Sequence, residues 1–94
     1  MNPVKDPAES VVVQFDFTGE LTSITGATTS IAIHGPGADP GIGTMLDGPL
    51  QISGASVFQR VRAGVHGLDY NLRCEATSGA TVIVRAAVMM VRTA

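Results

Sequence analysis

Apolar side chains recur at every second position along most of this chain. Val11, Val13, Phe15 and Phe17 alternate with Val12, Gln14 and Asp16, the pattern of an extended strand with one buried face. In TTSIAIH, residues 28 to 34, Ile31 and Ile33 lie on one side and Ala32 on the other. PLQIS, residues 49 to 53, turns Leu50 and Ile52 inward. VFQRVRA, residues 57 to 63, sets Val57, Gln59, Val61 and Ala63 against Phe58, Arg60 and Arg62, so this fourth strand exposes two arginines on one face. LDYNLRCEA, residues 68 to 76, has the clearest alternation, with Leu68, Tyr70, Leu72, Cys74 and Ala76 opposing Asp69, Asn71, Arg73 and Glu75. A turn at Ser78 and Gly79 leads into ATVIVRAAVMMVR, a long apolar strand that pairs antiparallel with its predecessor. On it Met89 and Met90 point to opposite faces, one packed inside and the other on a surface open to a partner.

A helical reading fits poorly. Valine, isoleucine and threonine lower helix propensity, glycine or proline interrupts at short intervals, and no window of a dozen residues keeps a period of about 3.6. Residues 80 to 91 carry alanines and methionines that tolerate a helix, but TVIV and the hairpin turn before it favour a strand. Six or seven short strands separated by turns predict an all-β sandwich. The expected organisation is an extended lead-in over residues 1 to 8, where Pro3 and Pro7 favour an extended chain, followed by one β-sandwich domain over residues 9 to 94. No internal repeat or heptad pattern interrupts it.

Composition narrows the partners. Ninety-four residues make one core. Six basic and eight acidic residues leave a net charge of −2, and the arginines are scattered singly with few aromatics. Neither a nucleic-acid partner nor an anionic membrane is expected. No apolar run reaches the roughly 20 residues of a membrane helix, and MNPVKDPAES lacks the apolar stretch of a secretion signal. The single cysteine, Cys74, forms no intrachain disulfide, so the fold is expected to stand on packing. A hydrophobic share of 45% against 15% charged residues is high for so small a body. Apolar surface is left over, and self-association is a natural use for it.

The stretch HGPGADPGIG, residues 34 to 43, raises the question of a phosphate cradle. A phosphate loop needs a lysine and a hydroxyl residue after its last glycine, and a dinucleotide fingerprint needs its glycines at fixed offsets before a helix. Here the glycines fall at 35, 37, 41 and 43, no lysine follows, and Gly48 and Pro49 cut off any helix in TMLDGP. The stretch reads as turn chemistry, with residues 35 to 48 open to an assembly or binding role. His34 and His66, 32 residues apart, have no partner motif that would build a zinc site or a nucleophile and base. Cys74 shares a face with Leu72 and Tyr70 and reads as a small buried hydrophobe. Asp16, Glu20, Asp39, Asp47 and Asp69 are too dispersed for a carboxylate pair or a calcium loop. No catalytic, cofactor-binding or metal-binding residue is assigned, no cofactor is expected, and an enzyme is not expected.

Tyr70 stands near the start of a late strand, after a turn. That is the position of the corner tyrosine of immunoglobulin-like sandwiches, whose hydroxyl ties the strand to a neighbouring loop. The alternative is an aromatic core residue with its hydroxyl at the edge. Taken whole, the opening KDPAESVVVQFDFT, the later VFQRVRAGVHGLDYNLRCEATSGATVIVRAAVMMVR and the G-x-x-G-x-x-Y turn of Gly64, Gly67 and Tyr70 resemble small proteins encoded in the structural gene clusters of tailed bacteriophages and prophages. The sequence departs from that pattern where aromatic residues often stand in the first two strands. Here those strands carry mostly Phe15, Phe17 and small aliphatics. The resemblance implies an all-β fold, a single immunoglobulin- or fibronectin III-like antiparallel β-sandwich of about seven strands. It also implies a non-enzymatic structural or assembly role in a phage or prophage particle. The expected partners are other phage structural proteins or a second copy of the chain, and the expected location is the virion or the bacterial cytoplasm. The rival expectation is an immunoglobulin-like adhesion module that recognises carbohydrate or a surface protein through its loops.

Overall fold

The structure is a computed structural model that describes residues 4–93. Its strands are β1 (Val4–Lys5), β2 (Val11–Asp16), β3 (Gly26–His34), β4 (Gln51–Ser53), β5 (Ser56–Val61), β6 (Asp69–Ser78) and β7 (Thr81–Val91), with one 3-10 turn at Ile42–Thr44. They form two sheets, one in the order β1-β7-β6-β3 and the other β2-β5-β4. This is an all-β sandwich with the strand order of an immunoglobulin-type fold, in which the second, fifth and fourth strands face the third, sixth and seventh. Among the described residues the named strands pair antiparallel except β1 with β7, which is parallel, Val4 opposite Met90 and Lys5 opposite Val91.

The period-two pattern sorts side chains between core and solvent. Val13 and Phe15 from one sheet, with Val57 and Val61 and with Phe17 just past β2, meet Tyr70, Leu72, Cys74, Ala76, Ala87, Met89 and Val91 from the other. Leu21, Ile24 and Met45 close the core from the connections. The layers are joined by a hydrogen bond in which the Thr29 hydroxyl donates to Oε1 of the buried Gln59 at 2.7 Å. Met89 is buried and Met90 faces outward, as their alternation predicts. The β6–β7 hairpin closes through Gly79 and Ala80, with Gly79 at a φ of 60°.

Three details differ from the pattern read along the chain. Residues 4 and 5 of the lead-in extend the larger sheet, and Lys5 is fully buried; residues 1–3 and 94 lie outside the described residues. Ala63 does not continue β5 inward. It takes a left-handed φ of 59° and is exposed, because the chain must turn there toward the other sheet. Ile52 lies on the same side as Val57 but stays 38% exposed, since β4 is a three-residue edge with little sheet to cover it.

Register gathers several segments at one end. His34 lies opposite Asp69, Asp69 opposite Met90, Met90 opposite Val4, and Val11 opposite Val61. The segments 6–10, 35–50, 62–68 and 92–93 therefore share one end of the sandwich.

Candidate functional site

The glycine-rich stretch crosses from β3 in one sheet to β4 in the other. Its backbone turns through positive φ at Gly35, Gly37 and Gly48, and its geometry is that of a folded connector. Asp39 organises it: Oδ1 accepts the Gly41 N–H at 2.9 Å, and Oδ2 accepts the Tyr70 hydroxyl at 2.7 Å. The Thr44 hydroxyl donates to the Gly41 carbonyl at 2.7 Å, and Met45 just beyond is fully buried. Leu46 then bridges to Val61.

Tyr70 settles in the corner arrangement. Its ring is fully buried, and its hydroxyl accepts the Val65 N–H at 2.8 Å while donating to Asp39. Burial, followed by the hydrogen bond to Asp39, raises its pKa above the usual tyrosine value. One phenol thus pins two connections, 35–50 and 62–68, to the start of β6. The turn before Tyr70 signalled this position; the part of Asp39, 31 residues upstream, had no local signal.

Lys5 had no signal either. It is buried, and its ammonium donates to the carbonyls of Asp6 at 2.7 Å, Pro7 at 3.4 Å and Ala63. The left-handed turn at Ala63 aims that carbonyl at Nζ. Desolvation lowers the lysine pKa, opposed by the nearby Glu9 and Asp6 charges. Beside it, Arg92 bonds Asp69 at 2.9 Å, and His66 Nδ1 accepts the Thr93 N–H at 2.8 Å. These contacts knit the end of the sandwich.

The remaining residues fall apart from one another. His34 is exposed at the end of β3, and His66 is engaged by the C-terminal backbone. Cys74 is fully buried, and burial pushes its thiol up to about 11, away from thiolate reactivity. Among the described residues no group of three or more His, Cys, Asp or Glu side chains could hold a metal ion, and no helix is long and apolar enough to cross a membrane. On the outer face of the smaller sheet Val12, Phe58 and Arg60 line an open groove of about 440 Å³ with Asp47, Gly48, Pro49 and Gln51.

The most unusual surface belongs to β7. Its inward row is Ile83, Arg85, Ala87, Met89 and Val91, and its outward row is Val82, Val84, Ala86, Val88 and Met90. Both rows are apolar apart from Thr81, which opens the strand, and Arg85, whose guanidinium lies 5.7 Å from the Phe17 ring and pairs with Glu20. Val82 and Val84 are 53% and 37% exposed, and Val4 of β1 extends the row at 60%. On the neighbouring strands the same face is polar, with Asn71, Arg73, Glu75 and Thr77 on β6 and Thr28, Ser30 and His34 on β3. Comparison of the chain with protein-family models, with curated proteins and with solved structures finds no match.

Proposed function

We propose that this protein is a non-enzymatic structural or assembly component of a phage or prophage particle, acting through protein–protein contacts. The observation that carries the reading is the outward row of β7: a strand apolar on both faces has the composition of a sheet interior, yet here it lies near a sheet edge with Val82 and Val84 in solvent. Exposed apolar rows of this kind mark contact surfaces. The likeness of KDPAESVVVQFDFT and the G-x-x-G-x-x-Y turn to phage structural-cluster proteins supplies the setting. The hydrogen-bonded end built on Tyr70, Asp39 and Lys5 supports a rigid building block, since its polar groups are spent on internal bonds. The test is deletion of the gene in its host and mass spectrometry of purified particles. The chain is expected in the particle at defined stoichiometry, with assembly arrested in the deletion. Normal particles lacking the chain would overturn the proposal.

The outer-face groove favours a second reading, a binding module, because Phe58 offers a ring face and Arg60 with Asp47 offers polar contacts. A glycan array tests it: binding abolished by Phe58→Ala supports it, and an empty array removes it.

A further inference from the structure

Among the described residues, nothing pairs with β7 on its outer side between Thr81 and Ala86. Which backbone groups are left there follows from the register. Val91 donates its N–H to Leu68 and accepts the Gly67 N–H, so both its polar backbone groups point toward β6. The pairing with β6 runs without a bulge from Met90 to Thr81. Odd-numbered residues of β7 therefore bond β6, and even-numbered ones point outward; the Arg92 N–H, which reaches Lys5 on the opposite side, agrees. Val82, Val84 and Ala86 thus turn N–H and C=O groups to an open edge and apolar side chains to an open face.

We infer that a second copy of this chain covers this edge, pairing β7 antiparallel to β7 about a two-fold axis at Val84. The inference rests on the contact-based reading above and names its partner. Three arguments select this occupant. The first is pattern: β7 is the one described strand apolar on both faces, so its own copy matches it on both, whereas β3, which also borders an open edge, carries Thr28, Ser30 and His34 on its outer face. The second is hydrogen-bond parity: an axis at Val84 sets Val84 opposite Val84 and Val82 opposite Ala86, so outward-pointing groups meet outward-pointing groups. The third is charge. An axis one residue further would set Arg85 against Arg85, which like-charge repulsion disfavours. The Val84 axis sets Arg85 opposite Ile83, and each arginine already carries its own Glu20, so the joint brings together two neutral pairs. So short a strand pair falls below the roughly 800 Å² per partner of a standard interface, so the isolated dimer is a weak one.

The register has a chemical readout. Directly opposed residues of this type have Cα atoms about 5.5 Å apart, within the roughly 4.4 to 6.8 Å that a disulfide spans. In a Cys74→Ala background, Val84→Cys is expected to form a disulfide-linked dimer under mild oxidation. Val82→Cys is expected to form no disulfide-linked dimer, because the two copies of residue 82 are four positions apart along the strands. Sedimentation of the unaltered chain from 10 to 500 μM is expected to show concentration-dependent dimers, abolished by Ala86→Pro, which removes an outward donor while leaving the β6 ladder intact. Unchanged circular dichroism of Ala86→Pro separates loss of pairing from loss of fold, and Val84→Lys serves if the proline variant unfolds. A monomer at every concentration with no Val84→Cys cross-link overturns the inference, as does a dimer that survives both variants. Either result leaves particle incorporation, the test of the broader reading, to be decided by mass spectrometry.

Discussion

Replacing Tyr70 by phenylalanine removes one oxygen from a fully buried ring and leaves the ring's packing in place. Two bonds are lost, the 2.7 Å donation to Asp39 and the 2.8 Å acceptance from Val65. A hydrogen bond to a charged group is worth about 1.5–3 kcal/mol and a neutral one about 0.5–1.5 kcal/mol. Asp39 is only half-buried and Val65 is 43% exposed, so water recovers part of both. The net expectation is about 2 kcal/mol, which for a domain of this size lowers the melting temperature by about 8–16 °C. Thermal unfolding followed by circular dichroism and by calorimetry measures it, and agreement of the two transitions checks two-state behaviour. Asp39→Ala completes a double-mutant cycle. It also frees the Gly41 N–H, so its single cost includes a part that Tyr70 does not share. The coupling between the two positions is expected at about 1 kcal/mol. A cost for Tyr70→Phe below about 0.5 kcal/mol, with coupling near zero, would refute the view that this hydroxyl holds the two connections to β6.

Three further outcomes test the surrounding structure. Cys74 has a folded pKa of about 11 against an ordinary 9.0; a raised acid binds its proton more tightly in the folded state, so its stabilisation is whole below pH 9 and lost as pH rises through 11. Two pH units at about 1.4 kcal/mol each make roughly 3 kcal/mol, and Cys74→Ala is expected to flatten the denaturation midpoint between pH 9 and 11 relative to the unaltered chain. Gly64→Ala forces a side chain onto a φ of 103° with its Cβ 2.9 Å from Val91 Cγ2, while Gly67→Ala meets strain alone at a φ of 92° with nothing within 4 Å. Chemical denaturation should show Gly64→Ala costing about 1–3 kcal/mol more than Gly67→Ala, and equal costs would mean Val91 and Met45 move aside freely. Lys5→Met keeps the buried stem but strands carbonyl acceptors at Pro7 and Ala63, for about 1–3 kcal/mol. Lys5→Ala adds a cavity and should cost more by urea midpoint.

The particle assignment rests on likeness of sequence, whereas the dimer joint rests on strand geometry, and the two stand or fall by separate experiments. A phage component that meets only other proteins would be monomeric and still belong to the particle. A chain that dimerises through β7 outside any particle would keep the joint and lose the setting.

What the sequence by itself determined is the set of strands other than β1 and, Ile52 and Ala63 apart, the face each one buries. Period-two alternation acts within a strand, so Val13, Phe15, Tyr70, Leu72 and Met89 declare their side without reference to anything distant. The β6–β7 hairpin was equally legible, because its turn is local. Tertiary structure decided which strands become neighbours, and hence everything that depends on meetings across the chain. Asp39 reaches Tyr70 over 31 positions, and Lys5 reaches Ala63 over 58; neither partner carries a mark of the other, because a carboxylate or an ammonium in a polar stretch looks the same whether solvated or enclosed. The edge position of β7 was hidden for the same reason. Its residues advertise burial on both faces, while strand order, a property of the whole chain, leaves one side of it open.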